Sequence, residues 1–436
     1  MAVDYNVVIL GGSLEARWAA LWAAHQGARV ALVTGGEADW SRIAVGYWRQ
    51  VGVIARQGQQ AAWLFNGELA QPPHWEAAYR WVEHQVWCSQ SRFGDAALLQ
   101  AGVDVVAGPG QFISEPTLAV QTPERSLRAW GYIVALTGTP LVPEIPELRH
   151  VPFQTVNDWL VWDAPPGRVG IVGNTPVGVV LAQAWVRLGV SVFWPVAEPR
   201  LLPAEEAPLA ERLTCILQAE GVQVQVETPI KRIIVQPTGL RLETPQGDWE
   251  VDTLLLATAP YVPPDQLGSI ELRRRGPYLQ VNRYLQTSHP RIYAVGDAVG
   301  HYPVPAVLGY ELAVALGHLL YRRRHPPQQQ LSWIILTDPV FLRQGWTETQ
   351  ARQRFPRDLQ IHTQARSKRL VHSRGECLGW HTLDNLAPYR HYGAIPAEQL
   401  TWDSWRWLLG ETRLPTAPRA TWWRRAWFTW QRDRTP

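Results

Sequence analysis

Two glycine-bearing turns and one aspartate are the residues whose types and spacing suit chemistry. The first turn, Gly11-Gly12-Ser13-Leu14-Glu15-Ala16, follows the apolar run Tyr5 to Leu10. The second, Gly173-Asn174-Thr175-Pro176-Val177-Gly178, follows Arg168 to Val172. A tight turn from strand into helix aims backbone N–H groups and the positive end of a helix at one point, which suits a phosphate. Strand-to-helix turns of a parallel sheet want glycine with or without a ligand, so a structural role fits the same residues. Asp297, after Tyr293-Ala294-Val295-Gly296, opens a helix-like stretch. A carboxylate there binds a ligand hydroxyl or, alternatively, caps the helix.

The elements around the turns are βαβ units. A helix over Arg17 to Gln26 and a strand over Ala28 to Val33 follow the first turn; a helix over Val179 to Leu188 and a strand over Val190 to Trp194 follow the second. Two such units mean two nucleotide-type folds and parallel sheet. Between them, Glu37 to Pro146 holds Trp-rich helical stretches and short β-type runs such as Val103 to Val106. His325 to Gln330 reads as a linker, Leu331 to about Leu400 as a third region, and Thr401 to Pro436 as a tail of another kind.

A chain of 436 residues is two or three domains. With 41 Lys and Arg against 38 Asp and Glu, the net charge of +3 makes no demand for nucleic acid. At 46% hydrophobic and 18% charged, the chain fills cores and is not disordered throughout. No apolar run reaches the roughly 18 residues of a membrane span. The first residues lack a basic leader and a cleavage site and read as mature structure. Three cysteines, Cys88, Cys215 and Cys377, make neither a disulfide framework nor a zinc site, and no metal is expected. That count suits a reducing cytoplasm. His289 and His301, flanking the Asp297 motif, read as solvated or capping residues.

The order of these motifs resembles the pyridine nucleotide-disulfide oxidoreductase family of flavoproteins, whose members include dihydrolipoamide dehydrogenase, mercuric reductase and glutathione reductase. The resemblance runs from about Asp4 to Leu400. It rests on both turns, on Ala135-Leu-Thr137-Gly138-Thr-x-Pro140 and on Arg200-Leu-Leu-Pro203. Thr287-Ser-x4-Tyr293-Ala-Val-Gly296-Asp297 and Thr337-Asp-Pro339 with Gly345-Trp-Thr-Glu348-x3-Arg352 complete it. It implies an α/β fold with two Rossmann-like domains: an FAD-type domain at 1–150 and 263–325, and an NAD(P)-type domain inserted at 151–262. An α+β interface domain at 331–400, forming a homodimer, and a Trp/Arg-rich tail at 401–436 follow. FAD would lie against Gly11, Ser13, Ala16, Thr34, Thr137, Gly138, Gly296 and Asp297. NAD or NADP would lie against Gly173, Thr175 and Gly178.

The chain also departs from the family's pattern. Ser13 and Thr175 replace the middle glycines of Gly-x-Gly-x-x-Gly, and Ala16 the last glycine of the first turn. The acid that holds ribose hydroxyls is absent: Thr34 stands there in the first copy and Trp194 or Pro195 in the second. Each lost charged hydrogen bond weakens binding by about 1.5–3 kcal/mol. Ala259 replaces a family glycine in Ala257-Thr258-Ala259. Arg42 and Tyr47 occupy the positions of the redox cysteine pair, and His381, His391 and Glu398 lack the spacing of the family's His-Glu pair. The expectation is a flavoprotein oxidoreductase that takes a hydride from NAD(P)H and passes electrons to a small acceptor such as a quinone. Disulfide reductase activity and a catalytic side chain are not expected. The alternatives are a catalytically retired family member serving as a membrane-associated scaffold, and a regulator whose flavin is structural.

In the tail, Trp423, Trp427 and Trp430 fall on one face of a helix, with Arg424, Arg425 and Arg432 mostly off it. That suits the headgroups of an anionic membrane and implies a peripheral place on its inner face. The same residues suit packing on the chain's own domain or on a partner through Trp–Arg stacking.

Overall fold

The computed structural model describes residues 3–35, 40–64, 74–156, 158, 166–300, 305–321 and 332–384. The linker at 325–330, residues 385–400 with His391 and Glu398, and the tail at 401–436 lie outside the described residues.

Strand β1 (Tyr5–Leu10) is buried from Val7 onward. It pairs in parallel with β2 (Val30–Val33) on one side and with Ala129–Val134 on the other. Strands apolar on both faces are what a parallel sheet covered by helices requires. β3 (Asp104–Val106) extends the sheet beyond β2, and Ile292–Ala294 completes it beside Ala129–Val134. A second parallel sheet runs in the order Gln223–Gln225, Ser191–Pro195, Arg168–Val172, Thr253–Leu256, Gln154–Thr155. Its strands all precede Ile292 in sequence, so the first sheet is finished only after the second is made. The fold is α/β, with one Rossmann-like unit inserted in the other.

Helix α1 (Leu14–His25) starts ahead of Arg17 because Ser13 caps it, its hydroxyl accepting the Ala16 N–H at 3.3 Å. The Trp-rich stretch forms α2 (Ser41–Leu64), α3 (Trp75–Phe93) and α4 (Asp95–Gln100), and the Trp48 and Trp75 rings pack 4.8 Å apart between α2 and α3. Helix α5 (Pro176–Arg187) starts ahead of Val179, since the fixed φ of Pro176 suits a first turn. It crosses α2 closely: a Cβ on Gly52 would stand 2.8 Å from the Ala184 Cα. An ionic clasp fastens the two. Arg187 is buried between Glu220 at 2.7 Å and Asp338 at 3.0 Å, and Arg56 of α2 reaches the same carboxylates at 3.2 and 3.1 Å.

Helices α6 (Ala207–Ala219) and α7 (Pro305–Tyr321) cover the second and first sheets. The C-terminal region is an antiparallel sheet ordered Ser332–Ile335, Val340–Gly345, Cys377–Asp384, Ser367–His372, Leu359–Gln364. A capping box of Thr347 and Gln350 opens α8 (Glu348–Arg354) against it. Buried Lys368 ties this sheet to the second unit: its Nζ lies 2.6 Å from Glu206 Oε1 and also bonds Glu348, whose N–H donates to Glu206 Oε2 at 2.9 Å. Burial pulls the Lys368 ammonium down, but the hydrogen bonds it donates to Glu206 and Glu348 outweigh that and its pKa is raised.

His381 is fully buried beside that cluster. Its Nε2–H donates to the Trp346 carbonyl at 2.8 Å. Burial lowers its pKa below the ordinary 6.5. Between that lowered value and 6.5 the unfolded chain holds a proton that the folded chain does not, so stability falls as pH falls through this window. The thermal midpoint is expected to drop from about pH 7 to about pH 5, with a flatter dependence in His381→Gln. An equal slope in both proteins would exclude His381 as the cause.

Candidate functional site

The chain leaves β1 through Gly11, whose φ of +148° is strained for any residue with a side chain. A Cβ there would run into the Ala135 carbonyl, so glycine lets the turn lie flush against the neighbouring strand. Gly12 follows on the wall of a cleft of about 900 Å³. Thr34 and Gly35 at the end of β2, Trp40 at the start of α2, and Thr137 and Gly138 beyond Ala129–Val134 form other walls, with one face of α3 across from them. The volume lies within the range of cofactor clefts.

Thr34, Thr137 and Gly138 thus come together on one cleft, while Gly11, Ser13 and Ala16 shape the turn at its end. Asp297 is 3% exposed and stands behind Gly138, its Oδ2 accepting the Gly138 N–H at 2.9 Å. A Cβ on Gly138 would meet the Asp297 Cβ at 3.0 Å and the Tyr261 backbone at 2.8 Å, which explains glycine there. Gly296, at φ +61°, donates its N–H to Glu311 Oε2 of α7 at 2.6 Å. Sequence reading missed Glu311; a lone acid in an apolar helix was the available signal. Burial and the nearby Asp297 carboxylate raise the Tyr278 pKa.

Gly173, Thr175 and Gly178 belong to the second unit. Gly173 has φ +111°, and a Cβ on it would strike the Ala257 carbonyl. Thr175 is the N-cap of α5 but makes no side-chain cap bond, unlike Ser13 at the start of α1. No acid stands at the end of the second strand; Glu198, three residues beyond Pro195, accepts a hydrogen bond from the Asn174 amide at 3.3 Å. Trp194 is fully buried there, its Nε1–H donating to the Gly173 carbonyl at 2.7 Å and its ring 3.2 Å from where a Gly178 Cβ would lie. The Asn174 amide bonds the Arg200 carbonyl at 3.0 Å and the Leu202 N–H at 2.8 Å, closing the following loop onto the turn. Where the family's ribose acid would stand, the buried Trp194 indole is turned onto the Gly173 carbonyl.

Tyr47 is buried, its hydroxyl 3.0 Å from Ser89 Oγ and its ring edge-on to Trp81 at 5.8 Å. The Arg42 side chain lies outside the described residues. Cys88 and Cys215 are exposed on α3 and α6, Cys377 is half-buried in the C-terminal sheet, and none of the three forms a disulfide. Among the described residues no group of three or more His, Cys, Asp or Glu could hold a metal ion, and no helix is long and apolar enough to cross a membrane.

The first turn, with its glycine-only backbone, its adjoining cleft and the Gly138–Asp297 link, has the room and the polar groups that a dinucleotide such as FAD needs. The family model for pyridine nucleotide-disulphide oxidoreductases matches residues 5–315. A mercuric reductase of Streptomyces lividans is 28% identical over 364 residues, spanning 79% of this chain and 76% of that protein. One from Shigella flexneri is 26% identical over 371 residues, and the chain spans only 64% of its length. The HOCl-induced flavoprotein disulfide reductase RclA from Escherichia coli shares the fold, with a TM-score of 0.72 at 21% identity over 88% of this chain and 91% of that one.

Proposed function

Because the chain belongs to the pyridine nucleotide-disulphide oxidoreductase family, we propose that it is an FAD-dependent oxidoreductase fed by NADH or NADPH, delivering electrons to a small acceptor such as a quinone without a thiol relay. The family is FAD-dependent and binds NAD(P), and its members are typically homodimers. The observation that carries the reading is the pairing of a glycine-only turn at a cleft with cysteines that sit on three separate elements, none of them on the cleft wall. A relay needs two thiols within disulfide reach of each other and of the cofactor.

FAD bound in the cleft would supply the two-electron carrier between nicotinamide and acceptor. The chain's own residues bind and orient it. Gly11 and Gly12 bring the backbone to the diphosphate, Thr34 offers a hydroxyl toward the ribose, and Trp40 walls the cleft. Asp297 holds Gly138 in place, leaving its carboxylate at the family's ribityl position. In the second unit Thr175 and the uncapped start of α5 would receive the nicotinamide dinucleotide's diphosphate. Peripheral membrane binding through the tail belongs to the same proposal.

The retired-scaffold reading draws on one observation, that the Ser13 hydroxyl oxygen accepts the Ala16 N–H, a donor a ligand phosphate would otherwise take. One experiment separates the two. Purified protein supplied with FAD and freed of excess is expected to show flavin absorption that bleaches with anaerobic NADH or NADPH and returns with a quinone, but not with glutathione disulfide. Protein that stays colourless overturns the reading in favour of the scaffold. Flavin that no reduced nucleotide bleaches points to the structural role, and recovery with the disulfide restores the relay.

A further inference from the structure

Arg17 lies beneath the first turn with only 3% of its side chain exposed. Its Nε–H donates to the Gly12 carbonyl at 3.1 Å, and its Nη1 donates to the Phe93 carbonyl at 3.2 Å and to Asp95 Oδ1 at 2.7 Å. Its guanidinium carbon is 5.8 Å from the centre of the Trp40 ring. Gly12 and Trp40 both form the cleft wall, so a fixed cation stands directly behind that wall.

Two features leave this charge active toward the cleft. Its countercharge, Asp95, is 60% exposed and screened by water, whereas the path from Arg17 to the cleft is protein. Glu15, the other buried charge of this turn, is two positions away and so about 200° around the helix from Arg17. The bond to Gly12 also draws that carbonyl, whose oxygen would repel an anion, back into the protein. Ser13, meanwhile, has taken the Ala16 N–H that a glycine would leave for a phosphate.

We propose that Arg17 replaces that lost donor: it is the positioning residue that turns the Gly12 carbonyl inward and supplies the positive potential for the diphosphate of a bound dinucleotide. The inference rests on the reading of the first turn as the FAD site. It goes beyond that reading by assigning the anion's attraction to a side chain that never touches it.

The test uses the full-length apoprotein and two ligands, FAD followed by flavin fluorescence and inorganic pyrophosphate followed by its effect on the thermal midpoint. Arg17→Met is expected to weaken FAD about tenfold or more and to abolish the pyrophosphate shift, Arg17→Lys to recover most of both. Asp95→Asn, which loosens the brace but keeps the cation, is expected to bind FAD as well as or better than the parent. The loss in Arg17→Met is expected to shrink in high salt. Equal affinity in Arg17→Met, or an equal loss in Asp95→Asn, overturns the proposal; the latter would make Arg17 a brace between α1 and α4. Should Arg17→Met fail to fold, Asp95→Asn and Arg17→Lys decide alone. Pyrophosphate binding without FAD binding would sink the FAD reading and leave Arg17 standing. A parent protein that binds neither sinks both.

Discussion

Gly11→Ala is expected to destroy flavin uptake and to lower stability by roughly 4 kcal/mol or more, the range reserved for a forced backbone clash. The turn has no slack with which to absorb a methyl group. Gly11 donates its N–H to the Val33 carbonyl at 2.8 Å, and Ala135, whose carbonyl the new carbon would strike, donates its own N–H to Leu10 at 2.7 Å. Either strand must give up sheet hydrogen bonds to move. Gly27→Ala is the control: its φ is +85°, but a Cβ there meets nothing within 4 Å. It is expected to cost only about 1–2 kcal/mol, the strain of a left-handed backbone alone. Denaturant unfolding of both variants checks the contrast, and similar losses would show that the Ala135 contact relaxes.

Lys368→Met is the second large effect. It leaves Glu206, which is even more buried than the lysine, facing Glu348 with no cation between them. Breaking one side of a buried pair costs about 3–5 kcal/mol because a desolvated charge loses its partner. The exposed pair Arg80–Glu76 on α3 offers the comparison; its removal is expected to cost about 0.5 kcal/mol or less. Adding Glu206→Gln to Lys368→Met should restore part of the loss, since it removes the stranded carboxylate. A Lys368→Met protein as stable as its parent would mean that water reaches the cluster.

Both units were readable from sequence because a strand, a glycine at positive φ and a helix follow one another locally, as at Gly11 and Gly173. The helix starts were placed late because Ser13 and Pro176 act as start signals, not as interruptions. Thr34, Thr137 and Gly138 were recognisable through the spacing of family motifs, and the structure sets them on one cleft. What stayed hidden depends on distance along the chain. Arg17 meets Phe93 and Asp95 across more than seventy positions, and Lys368 meets Glu206 across 162. No periodicity encodes such a pair. Trp194 was legible as the absence of an acid, but its indole bond to Gly173 required the fold.

The Ser13 cap bears on how any preparation of this protein is to be judged. By accepting the Ala16 N–H, its hydroxyl oxygen satisfies a donor that a phosphate would otherwise take. On the proposed flavin reading the turn thus has an internal partner before any ligand arrives, so flavin-free chain is expected to fold and to take up FAD afterwards without refolding. The colour of a preparation would then report how much flavin it has met rather than how much of it is folded.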